Sequence, residues 1–297
     1  MSESAYSRGV STPGLGVLYR ATDGMPFLEL ARAADERGFT SLVLGEHTHI
    51  PVTTDAAMFP GAGEAVPDTY PRLLDPYVAL SFVAAQTSLK IATCTSLPAQ
   101  HDPIALAKGL ATLDFLSDGR LTLGVGYGWN PDELANHGHE FADRRTIVRE
   151  HVELMRSLWT ETEAEYHGEH ANLERSWSWP KPAQPTIPVL LGAAGRAKAI
   201  EAIVDWADGW MPGGSIGWAA ERLAELRRRW SDAGRSASGP IVWFVQDAVD
   251  EEKLRTRVER LAELGVHEVV VAFDTVERDE ILPMLDRYEK VVAAFAG

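Results

Sequence analysis

Short apolar runs alternate along this chain with longer stretches whose apolar residues recur every three or four positions. The short runs cover residues 14–18, 41–44, 89–95, 121–125, 189–192, 209–211, 241–246 and 268–273. Most are apolar or β-branched and do not alternate with polar residues, the pattern of parallel strands buried on both faces. Between them, Phe27, Leu30, Ala31 and Ala34 follow the i, i+3, i+4, i+7 spacing of one helix face. Leu106, Leu110 and Leu113 make a second face, and Val148, Val152, Met155 and Trp159 a longer one. Further stripes are Ile200, Ile203, Val204 and Ala207, then Leu223, Leu226 and Trp230. Leu254, Val258, Leu261 and Ala262 follow, then Ile281, Leu285, Tyr288 and Val292. Asp75-Pro76 and Asp102-Pro103 each place a capping side chain before a proline, a helix start signal. Strands alternating with crossover helices predict an α/β fold, a (β/α)8 TIM barrel.

Two connections are too long for ordinary strand-to-helix loops: residues 47–75 after strand 2, and residues 127–188 after strand 4. The second is expected to hold an extra helix and the W-S-W-P-K-P segment. Both insertions leave the carboxyl ends of strands, where such barrels keep their sites. No internal repeat or boundary divides the chain, so residues 1–297 read as one domain.

Composition narrows the partners. A net charge of −15 argues against nucleic acid and anionic membrane surfaces. The single cysteine, Cys94, leaves no intrachain disulfide and points to a reducing compartment. The first ten residues lack an apolar signal core, and no run approaches 18 apolar residues. A soluble cytoplasmic protein acting on a small molecule is expected.

The strand ends carry the candidate chemistry. Strand 4 runs into Gly124, Gly126 and Gly128, with Tyr127, Trp129 and Asn130 among and after them. A dinucleotide fingerprint fails here, because its third glycine falls on Trp129 counting from Gly124 and on Pro131 counting from Gly126. What remains is backbone that can lie against a flat ligand, beside two aromatic rings. After strand 5, Gly192, Ala193, Ala194, Gly195 and Arg196 open a helix; such a turn is either an anion site, to which Arg196 and Lys198 add charge, or a plain turn with an arginine in the first helical turn. After strand 2 comes Glu46-His47, a titratable pair at the catalytic face. His47-x-His49 and Asp274 raise a metal reading, but two imidazoles cannot complete a zinc site, and strands 5 and 6 end in Gly, Ala and Pro. No metal is expected. Cys94 reads as a small buried residue rather than a nucleophile.

With these residues in place, the chain resembles the bacterial luciferase-like monooxygenase superfamily, and within it the coenzyme F420-dependent oxidoreductases of actinobacteria. The resemblance rests on G-F-T-S-L-V-L-G-E-H (38–47), L-D-P-Y-V-A-L (74–80) and D-P-I-A-L-A-K-G-L-A-T-L-D-F-L-S-D-G-R (102–120). It continues through G-V-G-Y-G-W-N-P-D-E (124–133), W-P-K-P (179–182), P-V-L-L-G-A-A-G-R-A (188–197) and A-D-G-W (207–210). It implies a deazaflavin or flavin ring across the carboxyl end of the barrel, with F420 as the cofactor and FMN as the alternative. By motif position, His47 lies beside the ring, and Thr93–Cys94 matches a bulged non-prolyl cis peptide behind it. Ser96 and the backbone of Gly126, Tyr127, Gly128 and Trp129 contact ring or ribityl chain, and residues 192–196 hold the phosphate. The resemblance also implies a homodimer.

One departure shapes the expected chemistry. The branch that oxidises glucose 6-phosphate uses a glutamate acid in the glycine-rich loop; this chain is read as having Trp129 there, and an indole cannot donate a proton in that way. The expectation is therefore hydride exchange between the deazaflavin C5 and an apolar or aromatic substrate near Trp129, Tyr127 and Trp177 or Trp179. His47, Glu46 and Trp129 are the catalytic candidates. An FMNH2-dependent monooxygenase of the same family and a non-catalytic flavin-binding protein are the alternatives.

Overall fold

Three helices begin on the same device, an acid or amide side chain followed by proline. Asp75 accepts the Val78 N–H at 2.9 Å ahead of α2 (Pro76–Gln86). Asp102 accepts the Ala105 N–H at 2.8 Å ahead of α3 (Pro103–Leu116). Asn130 accepts the N–H groups of Asp132 and Glu133 ahead of α4 (Pro131–Asn136). Proline costs nothing at the first helical position, where its missing N–H has no partner to lose. All three caps sit at the ends of loops that leave strands, so they fix where those loops stop.

The computed structural model describes residues 12–19, 24–55 and 66–295. Residues 56–65, in the middle of the first long insertion, lie outside them, as do the first eleven residues. Eight parallel strands close a barrel in the order β1-β10-β9-β8-β7-β4-β3-β2. They are β1 (Gly14–Tyr19), β2 (Ser41–Leu44), β3 (Lys90–Thr93), β4 (Leu121–Val125), β7 (Val189–Leu191), β8 (Gly209–Trp210), β9 (Ile241–Asp247) and β10 (Glu268–Ala272). α1 (Phe27–Glu36), α2, α3, α5 (Arg144–Thr160), α6 (Ala197–Asp205), α7 (Ile216–Asp232), α8 (Glu251–Glu263) and α9 (Arg278–Phe295) accompany them. The predicted barrel is the observed one, and every predicted helix stripe lies within or at the end of one of these helices.

The second insertion is richer than expected. Besides α4 and α5 it holds an antiparallel hairpin, β5 (Ala164–His167) with β6 (Asn172–Ser176). The Glu150 carboxylate on α5 pins its turn by accepting the N–H groups of Glu169, His170 and Ala171. Burial opposes the charge on Glu150, but those three hydrogen bonds outweigh it and hold its pKa below the usual carboxylate value. Trp159 ties α5 to α3, its indole N–H donating to the Ala107 carbonyl at 3.0 Å.

The barrel interior is apolar: Leu18, Val43, Ala92, Leu190, Met211, Trp243, Val270 and Ala272 meet along its axis. Its amino-terminal end is closed by the buried Glu268, which accepts from Ser41 Oγ at 2.7 Å and from Thr40 Oγ1. A Cβ on Gly14 would stand 2.4 Å from Glu268 Oε2, so glycine there makes room for the plug. The opening is left at the carboxyl end. Among the described residues, no helix is long and apolar enough to cross a membrane.

Candidate active site

A cavity of about 840 Å3 opens at the carboxyl ends of the strands, within the range of small-molecule sites. Its lining includes His47, Tyr70 and Trp129, the turn residues Gly192, Ala193, Ala194 and Arg196, and Cys94, Thr95, Gly126, Tyr127 and Gly128.

His47 is held on both ring nitrogens. Trp129 Nε1 donates to His47 Nε2 at 3.1 Å, and His47 Nδ1 lies 2.8 Å from Glu133 Oε2. An indole nitrogen can only donate, so Nε2 must accept, and the ring proton sits on Nδ1, donated to the carboxylate. The second Glu133 oxygen accepts the Thr48 N–H at 3.1 Å. Glu133 is fully buried. It reaches His47 because the Asn130 cap and Pro131 start α4 just before it, placing it in the first turn. Tyr70 covers the imidazole, its ring centre 5.1 Å away. A histidine so oriented, backed by a buried carboxylate, can take a proton from a ligand or return one.

Glu46, adjacent in sequence, faces a different set of partners. Its carboxylate accepts the Leu97 N–H at 2.6 Å, the Tyr77 hydroxyl at 3.1 Å and, on its other oxygen, His101 Nε2 at 2.6 Å. Ser96 Oγ lies 2.5 Å from the Tyr77 oxygen, whose own proton is committed to Glu46. Burial, followed by the Glu46 charge, raises the Tyr77 pKa well above its ordinary value. For His101 burial opposes ionisation, but the hydrogen bond and charge of Glu46 outweigh it and raise its pKa. This network organises the loop after β3, which makes Glu46 a positioning group in this geometry.

That loop also corrects the expected cis bond. It lies between Cys94 and Thr95, one peptide beyond Thr93–Cys94. The bulge is present: Ala92 pairs with Thr122 and Ser96 with Val125, so β3 takes four steps where β4 takes three. β3 itself ends at Thr93 rather than Thr95. Thr95 then occupies the space that two glycines leave. A Cβ on Gly126 would stand 2.3 Å from Thr95 Oγ1, and one on Gly192 would stand 2.3 Å from Thr95 Cγ2. Gly124 is needed for a different approach, since its Cβ would collide with the Thr93 carbonyl at 2.1 Å. These glycines admit protein atoms; of this loop, Gly128, with φ +72°, lines the cavity in a left-handed conformation.

Three of the expected cofactor-binding residues do not line the cavity. Thr93 and Ser96 are buried behind it, with Thr93 Oγ1 and Ser96 N–H both donating to the Gly124 carbonyl. Gly195 packs on Trp210, whose ring a Cβ there would meet at 2.8 Å, while the Trp210 N–H holds the Ala193 carbonyl at 2.9 Å. Trp177 and Trp179 are 75% and 59% exposed and are absent from the cavity wall. His49 turns to Thr48 and Asn136 instead of the cavity. Sequence reasoning missed Glu133, Tyr70, Thr95, Arg144 and Arg145. Asn130-Pro131 was a usable signal for Glu133, being the same cap-and-proline pair as the two that were recognised. Arg144-Arg145 at a helix start was another, because the helix dipole disfavours cations there.

The lining suits a flat ring with an anionic arm. Cys94, Thr95 and the 126–128 backbone make a wall, and the turn ahead of α6, anchored by the Gly192 N–H on the Val125 carbonyl, brings Ala193 and Ala194 to the cavity beside Arg196 and Lys198. Arg144 Nε is buried and has no partner among the described residues, which leaves a donor for a ligand.

Residues 13–268 match the family model of the luciferase-like monooxygenases. The Mycobacterium tuberculosis protein Rv0953c is 44% identical over 274 residues, covering 91% of this chain and 95% of that one. An F420-dependent glucose-6-phosphate dehydrogenase of Segniliparus rotundus is 32% identical over 179 residues, 58% of this chain and 48% of that one. Among solved structures, monooxygenase RslO1 from Streptomyces bottropensis has a TM-score of 0.74 at 20% identity, covering 96% of this chain and 100% of that one. An F420-dependent secondary alcohol dehydrogenase with a bound F420–acetone adduct also has a TM-score of 0.74, at 16% identity, covering 97% and 100%. At those identities the structural likeness speaks for the fold alone.

Proposed function

Because the chain belongs to the luciferase-like monooxygenase family, we propose that it is an oxidoreductase that holds coenzyme F420 in the carboxyl-end cavity and exchanges a hydride with a small organic substrate. The observation that carries the reading is the Glu133–His47–Trp129 arrangement beside a wall fit for a flat ring. When bound, the deazaflavin supplies hydride exchange at C5; the protein supplies orientation and proton handling. Ala193, Ala194 and Arg196 with Lys198 would hold the phosphate, and Cys94, Thr95 and the 126–128 backbone the ring. His47 Nε2 is the proton-transfer atom. A substrate hydroxyl takes the place of the indole N–H on Nε2, and the buried Glu133 carboxylate balances the charge when the imidazole takes the proton. Trp129, Tyr70 and Leu73 give the substrate an apolar, aromatic surround. The F420-dependent relative supports the cofactor choice.

The same reading includes a homodimer. Val78 and Phe82 on α2, with Ile104, Phe115 and Leu116 on α3, expose large apolar side chains on neighbouring helices. A face of that kind is suited to a second copy.

Titrating the purified protein with F420 and with FMN, following fluorescence, tests the proposal. F420 binding at least about ten-fold tighter is expected, on the scale of a few charged contacts. Tight FMN binding with none for F420 contradicts it and favours the monooxygenase alternative.

A further inference from the structure

Four cations line the cavity: Arg196 and Lys198 beside the start of α6, and Arg144 and Arg145 in the first turn of α5. None of the four makes an ion pair among the described residues. The later arginines of α5 behave differently. Arg149 pairs with Glu153 and Asp205, and Arg156 with Asp208. In a chain of net charge −15, carboxylates are plentiful, so cations left unpaired side by side mark a place kept for an outside anion.

Arg144 and Arg145 carry the sharper anomaly. Both stand at the positive end of a 17-residue helix, where cations are disfavoured. Burial, then the charge of Arg145, lowers the Arg144 pKa, and neither guanidinium pairs with an acid among the described residues. Arg144 is nevertheless held in place. Its guanidinium carbon lies 3.6 Å from the centre of the Phe141 ring, and Nη1 donates to the Phe141 carbonyl. Its Nε is buried with no partner among the described residues. Arg145 is exposed at the rim, with its guanidinium carbon 5.5 Å from the centre of the Tyr127 ring. One fixed, half-buried guanidinium and one at the rim make a path from the cavity toward solvent.

In the reading above, Arg196 and Lys198 at the start of α6 are the cations assigned to the phosphate. We infer that Arg144 and Arg145 form a second anion subsite, which takes carboxylates on the tail of an acidic cofactor. The inference rests on the deazaflavin reading above. F420 carries glutamate carboxylates beyond its phosphodiester, whereas FMN ends at one phosphate. The subsite therefore separates cofactors by their tails rather than by their rings.

The test compares F420 with F420 trimmed of its glutamates, each titrated by fluorescence into the full-length protein. The double variant Arg144→Gln/Arg145→Gln is expected to weaken binding of intact F420 by about ten-fold or more, and of the trimmed cofactor by less than about two-fold. Binding of trimmed cofactor doubles as the folding control. The milder Arg145→Gln, at an exposed position, should lose a smaller part of the same preference. With the wild-type protein, added salt should weaken intact F420 more steeply than the trimmed form. Equal losses for both cofactors, no loss for either, or matching salt slopes would overturn the subsite while leaving the deazaflavin reading intact. A wild-type protein that binds neither form would overturn the deazaflavin reading itself.

Discussion

Glu133 holds His47 from behind: Oε2 of the buried carboxylate lies 2.8 Å from Nδ1, while Trp129 occupies Nε2 at 3.1 Å. The carboxylate and the indole together leave one tautomer, with the proton on Nδ1 and the accepting lone pair on the nitrogen shared with Trp129. Nitrogen-15 NMR of the His47 ring should show a protonated Nδ1 at a pH where the imidazole is neutral. A neutral ring protonated on Nε2 contradicts the arrangement.

Removing the Glu133 charge should slow the chemistry with little effect on binding. Glu133→Gln keeps the volume and an acceptor oxygen. Turnover is expected to fall about 10- to 100-fold, the worth of a charge-assisted hydrogen bond of about 1.5–3 kcal/mol, with F420 affinity nearly unchanged. Glu133→Ala should also destabilise the fold by about 1–3 kcal/mol in denaturant, because it strands the Thr48 N–H and the His47 Nδ1–H.

The Thr95 packing can be tested by rescue. Gly192→Ala should cost about 1–3 kcal/mol of stability through its clash with Thr95 Cγ2. Thr95→Ser removes that methyl and should recover most of the loss. It should not rescue Gly126→Ala, whose clash is with the hydroxyl that serine keeps. Equal rescue of both in thermal melts would show that the two glycines do not face opposite sides of Thr95.

The His101–Glu46 pair makes a pH prediction with a definite sign. The folded state raises the His101 pKa, so its stabilising contribution is complete below the unfolded value of about 6.5 and is lost as pH rises through the raised folded value. The melting-temperature advantage of the wild-type protein over His101→Gln should therefore be largest in mild acid and shrink above about pH 6.5. An advantage that grows with pH contradicts the pairing.

The exposed α2 and α3 face predicts the oligomeric state. Light scattering should give the mass of two chains, and Phe82→Glu with Leu116→Glu should halve it. A monomeric wild-type protein contradicts the dimer.

Much of this was legible from the chain, and the exceptions have physical causes. The strands were readable because, buried on both faces, they are short unbroken apolar runs. The hairpin was not, because Asn172–Ser176 has an exposed, polar pattern with no such run. His47, Tyr127, Trp129 and the 192–194 turn follow barrel strands directly, so position in the fold announced them. Glu133 and Tyr70 reach the site from insertions, and their approach depends on tertiary packing. Gly124 and Gly126 were visible as glycines, but their neighbours, the Thr93 carbonyl and the Thr95 side chain, come from the end of β3 and the loop after it. Glu46 drew attention beside His47, yet successive residues leaving a strand point apart, and its partners are Leu97, Tyr77 and His101.

The most direct test of the central claim compares wild-type protein with His47→Ala for both F420 affinity and turnover. Affinity is expected to stay within about three-fold while turnover drops about 100-fold or more, the usual contribution of a positioned acid–base group. Near-normal turnover in His47→Ala would contradict the assignment of His47 as the proton-transfer residue.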